Sequence, residues 1–341
     1  MNILADASLP PLTPLFTDAF RISYYHNEVE LKEGLKSNEI LICRSTLIVN
    51  EALLSGSSIR CVATASSGID HIDTTYLTQQ GITLFDAKGS NARAVADYVM
   101  ASLAYLLRQN KVTGVKAGVI GVGAVGTKVA QRLKSVGFDV LCFDPIKALE
   151  NDKRVYCSLD ELTGCALLCV HANYHQEEPY PSANLISTPF LEKLNPGTSI
   201  INAARGGIVD EEAILNTSTP LIYCTDVYLK EPTINKDIVN LATLCTPHIA
   251  GHSIEAKEQA VFCLSQALHE HYHLEKPSPL TRKLGKKMRD LPKMPWQSTA
   301  LMLYNPIKET NLLKNALDKR LAFIKTRQAH QNRHDFPEGI F

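Results

Sequence analysis

The nine residues GVIGVGAVG, Gly118–Gly126, decide the fold. Gly121, Gly123 and Gly126 form G-x-G-x-x-G between an apolar run that reads as a strand (KAGVIGV) and an amphipathic run that reads as a helix (VGTKVAQRLKSVG). In that setting each glycine has a task. Gly121 permits the tight turn, Gly123 lets the backbone approach a pyrophosphate, and Gly126 lets the helix pack close to the strand. The amides of Ala124 and Val125 open the helix, whose N-terminus favours phosphate. The next strand, DVLCFD, ends at Asp144, about 18 residues after Gly126, where an acid receives the ribose diol and repels a 2′-phosphate. The stretch therefore predicts an NAD site.

Outward from this turn, short apolar runs alternate with helical patterns from Asn2 to about Tyr272. The runs NILAD, EILICR, RCVATA, ITLFDA, DVLCFD, ALLCVHA, TSIINAA, LIYCTDV and ATLCTP are mostly apolar throughout, as strands buried on both faces are. This predicts an α/β chain of two doubly wound parallel-sheet domains, Rossmann- and flavodoxin-like. Residues 1–90 plus 253–275 would form one domain and 91–252 the nucleotide-binding domain. The helical pattern Ser90–Asn110 would carry the chain across, and Ser253–Tyr272 would bring it back. Residues 276–341 form a C-terminal appendage. Its Lys276–Pro295 reads as a basic, proline-rich linker, and NLLKNALDKRLAFIKTRQAHQNRHDF as one amphipathic helix needing a surface to dock on.

Composition narrows the classes. Lys+Arg and Asp+Glu both number 35, which argues against a chain-wide nucleic-acid footprint. No apolar run approaches membrane-spanning length, and MNILAD opens straight into a strand with no secretory pattern. Six of the nine cysteines lie in apolar runs, which fits reduced, buried thiols in a cytoplasmic enzyme. CALLC reads as a strand, not a metal pair. HEHYH, His269–His273, fits H-E-x-x-H, but no third ligand accompanies it, so no metal site is expected.

Charged residues then collect at the ends of the later strands, where such sheets place their ligands. Arg205 follows TSIINAA, Asp226 ends LIYCTDV, Glu231 lies in the next loop, and His248 follows ATLCTP. This set suits hydride removal from a 2-hydroxy acid. His248 would take the hydroxyl proton, Glu231 would fix its tautomer and raise its pKa, and Arg205 would fork onto the carboxylate.

Taken together, GVGAVG, Asp144, NAARGGIVDEEAI, DVYLKEP and TPHIAG resemble the D-isomer-specific 2-hydroxyacid dehydrogenases over about residues 1–275. The resemblance implies Arg205, Glu231 and His248 as catalytic residues. It implies cofactor contacts at Asp226, at Ala172 through backbone, and at Ala203, Ala204, Arg205 and Gly251. ILICRSTLIVNEALL, VATASSGIDHID and FIKTRQAHQNRHDF are similar to the branch of that family that oxidises 4-phospho-D-erythronate on the pyridoxal-phosphate route. That implies a phosphorylated substrate held by Ser45 and Ser66, with Arg44, Gly68 and His252 beside it, and a homodimer built by the C-terminal segment. His252 stands where the branch has a tyrosine, and the appendage is shorter than its usual domain. Two other readings stay open: a phosphoglycerate or glyoxylate/hydroxypyruvate enzyme of the same family, and a non-catalytic NAD-sensing scaffold.

Overall fold

The computed structural model describes residues 1–150, 154–278 and 290–341. Most of the stretch read as a basic linker lies outside them. The chain divides into two compact units, Met1–Asn91 with the segment from Ser253 on, and Ala92–His252 with the C-terminal segment.

The first unit holds a fully parallel five-stranded sheet of β1 (Asn2–Asp6), β2 (Arg21–Tyr25), β3 (Ile40–Cys43), β4 (Cys61–Thr64) and β5 (Thr83–Asp86), ordered β2-β1-β3-β4-β5. Alternate residues feed two cores, which is why the strands read as unbroken apolar runs. Ile3, Ala5, Ile40, Ile42, Cys61 and Ala63 pack on Val261, Leu264 and Leu268 of the return helix Ile254–His271. Leu4, Leu41, Cys43 and Val62 pack on the other side with Leu31, Leu54 and Leu77 of the short helices Glu28–Gly34, Glu51–Leu54 and Thr74–Gln79. Strand β2, RISYY, was not expected from the sequence. It is an edge strand with mostly exposed residues, so it lacks the apolar signature of its neighbours.

The second unit holds a parallel six-stranded sheet of β6 (Lys116–Ile120), β7 (Asp139–Phe143), β8 (Leu167–Val170), β9 (Ser199–Asn202), β10 (Ile222–Thr225) and β11 (Leu244–Cys245). Its order is β11-β10-β9-β8-β6-β7, so the winding reverses between β6 and β8. One face packs against the helix Ala92–Arg108, the other against Phe190, Leu191 and Val239.

The C-terminal segment packs within this unit as three helices: Trp296–Leu303, Ile307–Asn315 and Lys319–Ala329. The expected single helix from Asn311 is broken. Ala316 turns extended, Asp318 caps the new helix by accepting the Leu321 N–H, and Lys319 Nζ donates to the carbonyls of Leu313, Lys314 and Ala316 that the break leaves open. Thr310 Oγ1 receives the Cys245 N–H at 3.0 Å, which covers the edge of β11.

Candidate active site

The glycine turn leaves β6 at the point of reversal. Gly121 has φ +83, and a Cβ there would lie 2.4 Å from the Ala172 nitrogen at the end of β8. A Cβ on Gly126 would collide with the Gly121 carbonyl oxygen. A Cβ on Gly123 would meet nothing within 4 Å. Two of the three glycines are thus required by the protein's own packing, and the third faces open space at the N-cap of the helix Ala124–Ser135. Asp144 receives the Val122 N–H at 2.8 Å and the Lys147 N–H at 3.1 Å, tying the strand end to the turn. His171, next to Ala172, has both ring nitrogens buried with no partner, and burial pulls its pKa down to about 3. A bare helix N-terminus, an acid beside the turn and an orphaned neutral imidazole form a cradle that fits a dinucleotide.

At the ends of β9 to β11 the structure joins Glu231 and His248. His248 Nδ1 lies 2.6 Å from Glu231 Oε2, and Glu231 Oε1 receives the Tyr228 N–H at 3.0 Å. Burial pushes the Glu231 carboxyl up. The charge and hydrogen bond of His248, the Tyr228 N–H and the field of Arg327 outweigh it, and its pKa falls below the ordinary value. His248 sits in the left-handed region at φ +55, an uncommon conformation for a residue with a Cβ. Asp226, 1% exposed, holds that turn. Its Oδ1 receives the Thr246 hydroxyl at 2.6 Å and the Ile249 N–H at 2.8 Å, and its Oδ2 receives the Ala250 N–H at 2.8 Å. Burial raises the Asp226 pKa against these bonds. Spacing placed Asp226 at a strand end; the structure adds that both its oxygens organise the His248 loop.

Arg205 follows β9, half-buried, with Nη1 donating to Ala204 O at 2.8 Å. Asn202 shapes the turn by donating to Arg205 O and receiving the Ala204 N–H, both at 3.2 Å. A Cβ on Gly206 would lie 2.0 Å from Tyr228 O, so the Arg205 turn and the Glu231 loop touch through a residue that must be glycine. Glu211 receives the Leu229 N–H at 2.9 Å. Asn202 and Glu211 went unnoticed in the sequence because both act on backbone, Asn202 within its own turn and Glu211 on Leu229, 18 residues on.

In the first unit, Arg44 follows β3 and donates through Nε to Asp6 Oδ2, 2.8 Å away at the end of β1. The winding of this sheet reverses between β1 and β3, and the pair stands at that reversal, where sheets of this type place ligands. Ser45 is exposed; Ser66 and Gly68 are half-buried after β4. Ser67 donates to Asn91 Oδ1 at 2.8 Å. Lys257, in the first turns of the return helix, is an added cation. Burial and the Arg44 charge both lower its pKa, as for two cations sharing one neighbourhood. His269 of HEHYH is buried, its Nδ1 2.7 Å from Ser265 O, and packs on Phe16 and Phe20. Among the described residues no three His, Cys, Asp or Glu side chains are grouped to hold a metal, and no helix is long and apolar enough to cross a membrane.

The family profile "D-isomer specific 2-hydroxyacid dehydrogenase, NAD binding domain" matches residues 92–250. The chain is 49% identical over 336 residues to a Legionella pneumophila protein named erythronate-4-phosphate dehydrogenase, covering 98% of this chain and 95% of that one. It belongs to the erythronate-4-phosphate dehydrogenase branch of the D-isomer-specific 2-hydroxyacid dehydrogenase family. A second branch member, from Marinomonas, is 36% identical over 283 residues, with 81% of this chain and 74% of that one covered. The fold of the family is seen in the crystal structure of NAD+-bound 3-phosphoglycerate dehydrogenase from Entamoeba histolytica, which aligns with TM-score 0.65 and 21% identity over 80% of this chain and 95% of that one.

Proposed function

We propose that this protein oxidises 4-phospho-D-erythronate at C2 to (R)-3-hydroxy-2-oxo-4-phosphooxybutanoate, with NAD+ as hydride acceptor, in pyridoxal 5′-phosphate biosynthesis. The observation that carries the chemistry is the His248–Glu231 pair at 2.6 Å beside a dinucleotide cradle. The substrate follows from the branch to which the chain belongs.

NAD+, held by Gly121, Gly123, Ala124, Val125, Gly126, Asp144, Ala172, Ala203, Ala204, Arg205, Asp226 and Gly251, supplies the acceptor for the C2 hydride. With Nδ1–H committed to Glu231, neutral His248 presents Nε2 to the C2 hydroxyl and takes its proton as the carbonyl forms. Ionised Glu231 stabilises the imidazolium that results. Arg205 receives the substrate carboxylate. Arg44, Ser45, Ser66, the amide of Gly68, Lys257 and His252 serve the phosphate. On this reading residues 1–90 with 253–275 form the substrate domain and 91–252 the NAD-binding domain. The C-terminal region serves a homodimer, and the enzyme works in the cytoplasm.

Initial rates with NAD+ and 4-phospho-D-erythronate, 3-phosphoglycerate, D-lactate and glycerate, with a 2-oxo acid present to reoxidise bound NADH, test the reading. Preference for phosphoerythronate is expected. Turnover confined to another acid would keep the chemistry and discard the substrate. No turnover with NADH still bound would favour an NAD-sensing scaffold.

A further inference from the structure

We infer that the C-terminal segment belongs to the catalytic apparatus of the second unit, with Arg333 as a positioning residue for the loop that carries His248. The inference rests on His248 being the proton acceptor.

The His248 turn is fixed from two directions. Asp226 gathers its N–H groups, as described. Its Ala250 carbonyl accepts from Arg333 Nη2, which also donates to Ala94 O at 3.1 Å. Arg333 is 7% exposed, and its guanidinium lies 4.9 Å from the centre of the Tyr304 ring. Tyr304 leans on Tyr98, ring centres 6.2 Å apart, and the Tyr98 hydroxyl is 2.7 Å from Thr246 Oγ1, which in turn donates to Asp226. The connection is therefore a closed ring: Arg333 to Ala250, Ala250 to Asp226, Asp226 through Thr246 and Tyr98 to Tyr304, and back to Arg333.

The segment is itself anchored. The Phe336 N–H donates to Asp97 Oδ2 at 2.8 Å, Arg93 Nη2 donates to Phe336 O at 2.6 Å, and the Phe336 side chain is 2% exposed. The preceding helix attends to the other catalytic partner. Phe323 packs edge-on against Tyr228, whose N–H binds Glu231, and the Arg327 charge favours ionised Glu231.

Burying a guanidinium is costly unless its surroundings repay the lost water. A segment that served only to join two copies would gain nothing by spending one on the carbonyl of a catalytic turn. A left-handed histidine, however, persists only where neighbours over-determine the turn. One guanidinium nitrogen, with two N–H bonds, bridges two carbonyls while its flat face rests on an aromatic ring, a combination lysine does not offer.

The test compares Arg333→Met and Arg333→Lys with the parent and with His248→Ala. It measures kcat, the KM for phosphoerythronate, the Kd for NADH and the melting temperature. Arg333→Met should lower kcat per NADH-binding site by about tenfold or more while KM and Kd stay within about threefold, because the reacting groups are misaligned and not lost. Arg333→Lys should recover part of that kcat. A folded, NADH-binding Arg333→Met with kcat within twofold of the parent overturns the inference, even if its melting temperature is lower. Should Arg333→Met not fold, Arg333→Lys decides: lowered kcat at unchanged KM supports the role, and parental kcat overturns it. Turnover retained by His248→Ala would instead remove the proton-acceptor reading beneath it.

Discussion

The two units meet ligands in opposite ways. In the second, the reactive groups are fixed by other parts of the protein. His248 is held by Glu231, its turn by Asp226, and the glycine turn by the end of β8. In the first, the groups proposed to meet the phosphate are an arginine bonded to Asp6, an exposed serine and a half-buried lysine. Proton transfer tolerates little misalignment, so its residues are preorganised. A phosphate dianion can be gathered by long side chains that move to meet it. The contrast predicts that damage to the His248 loop appears in kcat and damage to the first unit in the KM for the substrate.

The largest effect should come from His248→Ala: kcat falls by about a thousandfold with KM nearly unchanged. Equal losses in both would break the contrast. Next, Gly126→Ala should weaken NADH binding by about a hundredfold, read by fluorescence titration, because its methyl group would collide with the Gly121 carbonyl. Arg44→Ala should raise the KM for the phosphorylated substrate by about ten- to a hundredfold at near-parental kcat, the worth of one charge-assisted contact. A fall in kcat alone would place Arg44 with the chemistry. The smallest effect concerns stability. Asp97, which anchors Phe336, has its pKa pushed up by burial to about 6, above the unfolded value. Its protonated form therefore stabilises the fold below about pH 4, and that contribution, at most about 3 kcal/mol, is lost as pH rises through 6. Denaturant unfolding of the parent and Asp97→Asn between pH 4 and 7 should show the parent losing ground to the variant. A constant difference would remove Asp97 as a titrating anchor.

What could be read from the sequence follows the same division. Strands that bury most of their residues announce themselves, so β1 and β3 to β11 were visible as apolar runs, whereas RISYY, mostly exposed, was not. The G-x-G-x-x-G turn and the strand-end positions of Arg205, Glu231 and His248 were legible because each depends on a local pattern. The supports were not. Asp226 bonding Ala250, Cys245 bonding Thr310 and Arg333 bonding Ala250 join residues far apart in the chain, and nothing near any one of them signals its partner. The break between the last two helices lay in a single charged pair, Asp318 and Lys319, whose capping work emerges only when the preceding carbonyls are seen.

The division of the first unit has a consequence for how the protein is made. Its sheet is complete by Asp86, yet the helix that covers Ile3, Ile40, Ile42 and Ala63 begins at Ile254, after the whole of Ala92–His252. At ~5–20 residues per second, the ribosome needs on the order of ten seconds to reach it. During that interval the earliest-synthesised part of the chain presents a bare aliphatic face, a target for chaperones and a hazard for neighbouring chains. The first sheet to be translated waits for a helix made only after the second sheet is complete.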